Sequence, residues 1–326
     1  RYWSVLAADV AGEGARARDV DRRFESDAPR LAHLRIGTRC ATAIMLYSFG
    51  ARQGEERGVL EGDLVQSLIG PEIDRSTVTT CLHDLRDELL YLHYTGRRYR
   101  FEPRPNLNLL IAEEEKRIES EEVLARIRGR LESDLAATGA RGVLWPLDPA
   151  AIPDRVPAFQ VVYLGPDAAE RDAAALESLV ERMLESHGAG HREYRNALAF
   201  AVPGRGPLDD ARRAARETIA IEAVRKQTKD GRLTVEREQR EQLDERHQGA
   251  TAKLVGAVER LYEAILIPVA EREGARPYRL ERVDLRAQVA SSHSVHGRVL
   301  EALRTHVFET LTPARLVALA RLGSDR

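Results

Sequence analysis

Four arginines lie in or beside a tight turn in the stretch LHYTGRRYRFEPRPNLNLLI, residues 92–111. They are Arg97, Arg98, Arg100 and Arg104. A guanidinium group stays charged and presents several N–H donors, so a cluster of them suits the phosphates of a nucleic-acid backbone. Between residues 96 and 104 only Glu102 opposes these four charges, which leaves a local charge of +3. The stretch therefore predicts a weak contact with DNA that does not depend on base sequence.

A structural interpretation of the same stretch stays open. In it, Tyr94, Tyr99 and Phe101 pin the turn to the body of the protein. The arginines then pair with the acid-rich helix predicted at residues 113–122. The near-neutral charge of the whole chain and the proximity of that acidic run favour this alternative slightly.

The elements around the arginines have the order of a winged helix. The segments LLYLHY and RRYRF alternate between apolar and polar residues on either side of Thr95-Gly96, which predicts a β-hairpin. Upstream, a short helix ends at Gly70-Pro71, and a second helix begins with Ser76 as its N-cap. Helix, helix and hairpin together predict a winged-helix domain over residues 53–118.

The second of these helices, residues 76–90, is poorly suited to reading DNA bases. It carries Arg86 against Asp84, Asp87 and Glu88, a net charge of −2. Helices that read a major groove present Arg, Lys, Asn or Gln on their outer face, because base edges and phosphates require donors. Any contact with nucleic acid is therefore expected at the hairpin, called the wing below.

Motifs for catalysis, cofactor binding or metal binding are missing from the sequence. It contains no Gly-Lys dipeptide and hence no phosphate-binding loop of the Gly-Lys-Ser/Thr type. The histidine pairs His187/His191 and His293/His296 are interpreted as surface or capping residues. The stretch GRGPLDD at 204–210 is interpreted as an ordinary turn between a strand and a helix. We therefore predict no catalytic, cofactor-binding or metal-binding residue in this chain.

The composition limits the classes of protein to which this chain can belong. The 326 residues have a formal net charge of −2 and 31% charged residues, so the whole molecule has no general attraction for polyanions. The two cysteines, Cys40 and Cys81, are far apart in sequence and fit a reducing compartment. No apolar run approaches the roughly 18 residues of a membrane span. The sequence predicts a cytoplasmic protein that does not associate with membranes, and its start at Arg1 predicts a fragment of a longer chain.

The remaining elements predict an α-rich α/β fold in four parts. Residues 1–52 form a helical segment that precedes the winged helix, and residues 119–285 form an α/β domain with a small mixed sheet. A projecting helical hairpin near 208–265 interrupts that domain. Its two long helices are joined at Asp230-Gly231 and are expected to pair through an apolar seam of Ala215, Ile219, Val224, Leu243, Leu254, Val258 and Leu261. Residues 286–326 form C-terminal helices, of which one starts at Ser294 and the last begins at Thr312-Pro313. The helical segment includes RIGTRCATAIMLYSF (35–49), which is apolar on almost every face and is expected to be buried.

Finer expectations concern single segments of this plan. The strands at 158–166 and 196–204 flank a helix at 172–188, which predicts two parallel strands. One charged helix is expected over 108–135. The proline-rich residues 142–159 are expected to form a linker or a pinned loop.

Three segments together resemble a known protein family. RIGTRCATAIMLYSF, LLYLHYTGRRYRFEPRPNLNLLI and REYRNALAFAVP resemble the region after the nucleotide-binding core in large bacterial AAA-type ATPases. That family, domain of unknown function four-nine-nine, is encoded in phage-defence islands and is distantly similar to BREX-type ATPases. The resemblance covers residues 2 to 320, and it implies ATP and magnesium binding for the parent protein only. It carries over no catalytic residue.

The sequence therefore predicts the non-catalytic C-terminal region of a defence-associated ATPase. Its role would be to couple the nucleotide state to DNA or to a protein partner, either another defence-system protein or a second copy of itself. One alternative is a free-standing winged-helix regulator with an α/β effector domain. A second alternative is a nucleotide-handling α/β enzyme domain that uses the turn at 204–210.

Overall fold

A computed structural model describes residues 2–49, 57–138, 142–156, 158–271, 278–285 and 294–306. The fold is α-rich α/β, as predicted. The chain divides into two compact units. The first consists of Arg1–Arg117 and Ile219–His247, and the second consists of Ile118–Thr218 and Gln248–Arg326.

The first unit begins with helices. A short helix α1 (Trp3–Val5) continues as a π-helical turn at Leu6–Val10, and α2 (Ala17–Asp27) and α3 (Ile36–Phe49) follow. One face of α3 is buried, including Ile36, Cys40 and Ile44. The expectation that this helix is buried on almost every side is wrong at its end, since Leu46 is 68% exposed and Phe49 54% exposed.

A winged helix follows directly, as predicted. Its elements are β1 (Val59–Leu60), α4 (Glu61–Leu68), α5 (Arg75–Glu88), β2 (Leu92–Thr95) and β3 (Arg98–Phe101). The three strands form an antiparallel sheet in the order β1-β3-β2. In the β2–β3 hairpin, His93 lies opposite Arg100 and Thr95 lies opposite Arg98.

Two local predictions need correction. The N-cap of α5 is Asp74 rather than Ser76, because the Asp74 carboxylate accepts the backbone N–H of Thr77 at 2.7 Å. Ser76 lies in the first turn and donates to Asp74 instead. The hairpin turn is Gly96-Arg97 rather than Thr95-Gly96. Both turn residues have positive φ, 58° and 59°, which is the backbone geometry of a two-residue type I′ turn.

A single hydrophobic core joins the helical segment to the winged helix. It runs from Val5 and Val10 through α3 to Leu85 of α5 and Phe101 of β3. The predicted boundary near residue 52 therefore falls within one core. The two cysteines meet in this core as free, buried thiols, and a hydrogen bond to Cys40 together with burial raises the pKa of Cys81.

The charged segment after the wing forms two helices instead of one. They are α6 (Leu107–Arg117) and α7 (Ser120–Thr138), so the predicted continuous helix over 108–135 is wrong. The break carries neither glycine nor proline. It consists of Ile118 and Glu119, and the β-branched Ile118 has a lower helix propensity than its neighbours Arg117 and Glu119.

The second unit is built on a five-stranded sheet in the order β10-β9-β8-β5-β4. The strands are β4 (Gly142–Leu144), β5 (Gln160–Tyr163), β8 (Leu198–Pro203), β9 (Tyr262–Ala270) and β10 (Tyr278–Asp284). The predicted parallel pairing of β5 and β8 is confirmed, with α8 (Ala173–Glu185) between them in sequence. The predicted loop at 142–159 is wrong at its start, because β4 pairs in parallel with β5. A small hairpin of β6 (Ser186–His187) and β7 (Gly190–His191) follows α8.

The two long helices are α9 (Arg205–Lys229) and α10 (Arg237–Glu259). Ion pairs between them fix an antiparallel register: Arg225 bonds Asp244 at 2.6 Å and Lys253 bonds Glu217 at 3.1 Å. The predicted apolar seam is buried at all seven positions: Ala215, Ile219, Val224, Leu243, Leu254, Val258 and Leu261.

The distal part of this helical hairpin, residues 219–247, belongs to the first unit and contacts α6 and the chain that leaves the wing. Gln227 donates to Glu114 at 3.0 Å, Arg246 donates to Asn108 at 2.7 Å, and the buried Gln239 donates to the Pro105 carbonyl at 2.8 Å. The distal hairpin is therefore a packed part of this unit.

The last described helix is α11 (Val295–His306). Its predicted start at Ser294 is confirmed, since the Ser294 hydroxyl accepts the backbone N–H of Gly297 at 2.9 Å. The helix predicted after Thr312-Pro313 lies outside the described residues.

A buried carboxylate ties the N-terminal segment to the wing. Asp9 has no exposed surface, and its two oxygens accept the backbone N–H groups of Leu90, at 3.1 Å, and Tyr91, at 2.6 Å. Burial raises the pKa of Asp9 from 3.8 to about 6, although the two hydrogen bonds and the nearby Arg16 act against that rise. Arg16 in turn forms an ion pair with Glu113 of α6.

We predict a specific pH dependence for Asp9→Asn. Since folding raises the pKa of Asp9, the folded state binds a proton more tightly than the unfolded state. The stability of the wild type relative to the variant should therefore fall as the pH rises from about 4 to about 6. Each pH unit in that range costs at most about 1.4 kcal/mol, so the total change is about 3 kcal/mol at most. Denaturant unfolding of both proteins across this range measures it, and a constant difference would contradict it.

Candidate functional site

The outer face of the wing forms one side of a groove of about 520 Å³. We call it the wing groove. It is lined by Tyr2, Arg57, Thr95, Gly96, Arg98, Arg100, Phe101, Glu102, Pro103 and Arg104. The alternation along β3 explains its chemistry, because Tyr99 and Phe101 are buried on the inner face while Arg98 and Arg100 lie on the opposite face.

The structure brings three of the four predicted arginines together. Arg98, Arg100 and Arg104 line the wing groove. Arg97 does not line it, and occupies the hairpin turn with a positive φ of 59°. Sequence analysis missed a fourth groove arginine, Arg57.

Arg57 reaches the groove through the close approach of β1 to β3. Gly58, which follows it, has a φ of 98°, and a Cβ atom at this position would lie 2.4 Å from the Tyr99 carbonyl oxygen. Arg98 donates to the Gly58 carbonyl at 3.0 Å from the same side. A two-residue strand that depends on one glycine leaves little signal in a sequence, which is why Arg57 was not found.

Glu102 organises the arginines. Its carboxylate accepts from Arg100 at 2.6 Å and from Arg104 at 2.7 Å. Burial alone would raise the pKa of Glu102, but the Arg104 hydrogen bond and the charges of His93, Arg100 and Arg104 together lower it. Among the described residues that line the groove there are four guanidinium groups and one carboxylate, a difference of three positive charges.

The structural interpretation of the wing, in which aromatic residues pin the hairpin and its arginines pair with residues 113–122, is confirmed in its first part only. Tyr99 and Phe101 are buried and pin the hairpin, and the Tyr94 ring lies 4.5 Å from the Tyr99 ring. The predicted pairing with residues 113–122 is wrong for Arg100 and Arg104. Both pair with Glu102, and Arg104 also lies 3.7 Å from Glu238 of α10.

The outer face of α5 is polar and nearly neutral. Its exposed residues include Ser76, Thr80, His83 and Asp87. The helix also starts one residue earlier than predicted and so includes Arg75.

Two charged groups of α5 contact neighbours. Glu88 forms an ion pair with Arg23, and the Arg86 guanidinium lies 4.6 Å from the centre of the Tyr94 ring. The exposed arginines of this helix are Arg75 and Arg86, so it presents few positively charged donors to base edges.

The remaining sequence candidates that lie among the described residues do not come together as sites, and His293 lies outside the described residues. His296 is buried rather than a surface residue, and its Nδ1 lies 2.5 Å from the Tyr163 hydroxyl. His187 and His191 lie on neighbouring strands of the β6–β7 hairpin. At the 204–210 turn, α9 begins at Arg205, and Asp209 pairs with Arg212 within its first turns.

No group of three or more His, Cys, Asp or Glu side chains in the described ranges could hold a metal ion. None of the helices in the same ranges is long and apolar enough to cross a membrane. Comparisons with protein-family models, curated proteins and solved structures found no match to this chain.

We predict that Arg97→Asn stabilises the wing. Arg97 is held in the left-handed backbone region, which costs an ordinary L-residue about 1–2 kcal/mol and which asparagine adopts more readily. The variant should raise the free energy of unfolding by about 0.5–1 kcal/mol. Arg97→Ala is the matched control, since it removes the same charge without the backbone benefit. Equal stability of the two variants in denaturant unfolding would contradict the explanation.

Proposed function

We propose that the wing groove binds the phosphate backbone of duplex DNA without reading its base sequence. The observation that carries this proposal is the grouping of Arg57, Arg98, Arg100 and Arg104 around one groove, whose described lining contains a single carboxylate, Glu102. Guanidinium groups bind phosphate oxygens through paired N–H donors. Such contacts position a protein on DNA but carry no sequence information.

The polar, nearly neutral face of α5 supports non-specific binding. Reading of bases requires donors aimed at their edges, and the described contacts of Arg86 direct it to the Tyr94 ring. The same shortage of donors on α5 argues against the alternative of a free-standing winged-helix regulator that reads DNA sequence. The pairing of Asp209 and Arg212 within the start of α9 leaves little support for a nucleotide site at the 204–210 turn.

For the larger context, we propose that this chain is the non-catalytic C-terminal region of a defence-associated AAA-type ATPase. The support is the resemblance of three sequence segments to that family and the lack of a Gly-Lys dipeptide in the sequence. ATP and magnesium would then bind upstream in the parent protein. The wing groove would couple its nucleotide state to DNA.

The first test of the groove is a salt titration of binding to a duplex. Each phosphate neutralised contributes about −0.9 to the slope of log K against log salt, so three or four contacts in the groove contribute roughly −3 to that slope. Arg57→Ala combined with Arg100→Ala should reduce the magnitude of that slope by about 2. The control is Arg128→Ala with Arg213→Ala, two exposed arginines of the second unit that remove the same charge.

A substitution that increases the positive charge of the wing groove tests the same proposal in the other direction. Glu102→Gln removes the one carboxylate of the groove and raises its charge from three to four, so binding at low salt should become tighter. Thermal unfolding shows whether each variant is folded. Lack of binding by the wild type at low salt, or a slope that neither groove variant changes, would overturn the proposal.

A further prediction concerns nucleotides. The isolated chain of 326 residues should neither bind ATP at micromolar concentration nor hydrolyse it, because its sequence lacks the Gly-Lys phosphate loop. Isothermal titration calorimetry with ATP and magnesium measures the binding. A longer chain that includes the upstream residues is the positive control. Micromolar ATP binding by residues 1–326 alone would contradict the proposed place of this chain in its parent.

A further inference from the structure

The tip of the α9–α10 hairpin is strongly basic. We define the hairpin tip as residues 225–240, which contain six basic and three acidic residues and so carry a net charge of +3. The whole chain has a formal charge of −2, so this concentration is local. The basic residues of the tip are Arg225, Lys226, Lys229, Arg232, Arg237 and Arg240.

The backbone of the tip is fixed by hydrogen bonds. Gly231, with a φ of 73°, ends α9, and its N–H donates to the Thr228 carbonyl at 3.3 Å. The N–H of Arg232 donates to the Gln227 carbonyl at 3.0 Å. These two bonds are those of a Schellman motif, and the buried Leu233 follows directly. The charged side chains of the tip therefore project from an ordered turn.

Four of the six cations are exposed and available. Lys226, Lys229, Arg232 and Arg240 are all exposed, and none has a side-chain hydrogen bond or ion pair among the described residues. Arg225 differs, because it is bonded to Asp244. A pocket of about 110 Å³ lies among these groups, with Leu243 in its lining beside Arg225, Lys229 and Arg240.

The tip lies next to the segment that leaves the wing. The buried Gln239 holds the start of α10 to the Pro105 carbonyl, one residue after the groove arginine Arg104. Glu238 lies 3.7 Å from Arg104 itself. The hairpin tip and the wing groove are therefore neighbouring basic surfaces of the first unit.

We propose that the hairpin tip is a second phosphate-binding surface, which contacts the same DNA duplex as the wing groove. This inference rests on the proposed function, because the groove would place the duplex beside the tip. A duplex carries one phosphate charge per roughly 1.7 Å of its axis, so neighbouring cationic surfaces can engage successive phosphates. The tip contributes exposed ammonium and guanidinium groups on an ordered backbone.

The decisive experiment repeats the duplex salt titration with the full chain and the triple variant Lys226→Ala, Lys229→Ala and Arg232→Ala. If each cation meets a phosphate, the magnitude of the slope should fall by about 2 to 3. The matched control removes three exposed arginines of the second unit: Arg128, Arg155 and Arg213. A slope and affinity equal to those of this control would overturn the inference.

A charge-conserving variant separates binding from folding. Lys226 and Lys229 lie in the last turn of α9, where positive charge also favours the helix terminus. The variant Lys226→Arg, Lys229→Arg and Arg232→Lys keeps the charge and should bind DNA like the wild type. Loss of DNA binding in this variant, with its thermal unfolding unchanged, would show that charge is not the cause and would overturn the inference.

Two further comparisons show which of the two proposals is wrong if the expected results are not obtained. If the groove variant loses DNA binding and the tip variant does not, the inference about the hairpin tip is overturned and the proposed function of the wing groove stands. If the tip variant loses DNA binding and the groove variant does not, the proposed function of the wing groove is overturned. Competition with polyglutamate of matched charge distinguishes phosphate binding from general attraction to carboxylates. Polyglutamate that displaces the duplex at equal charge concentration would count against a phosphate site.

Discussion

The wing depends on the buried carboxylate of Asp9. It accepts both N–H groups at the entry to β2, those of Leu90 and Tyr91, and so fixes the N-terminal segment to the hairpin. A buried charge is costly unless hydrogen bonds compensate for its lost hydration, and its raised pKa reflects that cost. The same N-terminal segment supplies Tyr2 to the wing groove. The shape of the groove therefore depends on a bond formed outside the winged helix itself.

The alternation of side chains along β3 serves both the hydrophobic core and the wing groove. On β3 the inward Tyr99 and Phe101 anchor the hairpin to the core, and the same pleat places Arg98 and Arg100 outward. Four guanidinium groups side by side repel one another, and Glu102 reduces that repulsion by binding Arg100 and Arg104. These two side chains are therefore already oriented in the free protein, which would lower the entropy lost in the proposed binding of phosphate.

The sequence predicted the elements whose signals are local. Alternation revealed the β2–β3 hairpin, and helical spacing with a glycine turn revealed α9 and α10. It failed where a structure depends on distant partners. The strand β4 has three residues and exists because β5 pairs with it, and Arg57 reaches the groove because Gly58 approaches Tyr99. Among the site residues, three arginines were found from composition alone. The carboxylate of Glu238 near Arg104 was not predicted, because it lies 134 residues away from Arg104 along the chain.

The distribution of charge explains how a nearly neutral chain could bind a polyanion. Residues 113–122 hold six acidic and two basic residues, a net charge of −4, whereas the hairpin tip carries +3. At physiological ionic strength charges act over about 8–10 Å, so a duplex responds to the surface nearest to it rather than to the total of −2. Under the proposed function, this uneven distribution would limit general attraction to polyanions and would favour contact through the surfaces on which the basic residues are concentrated.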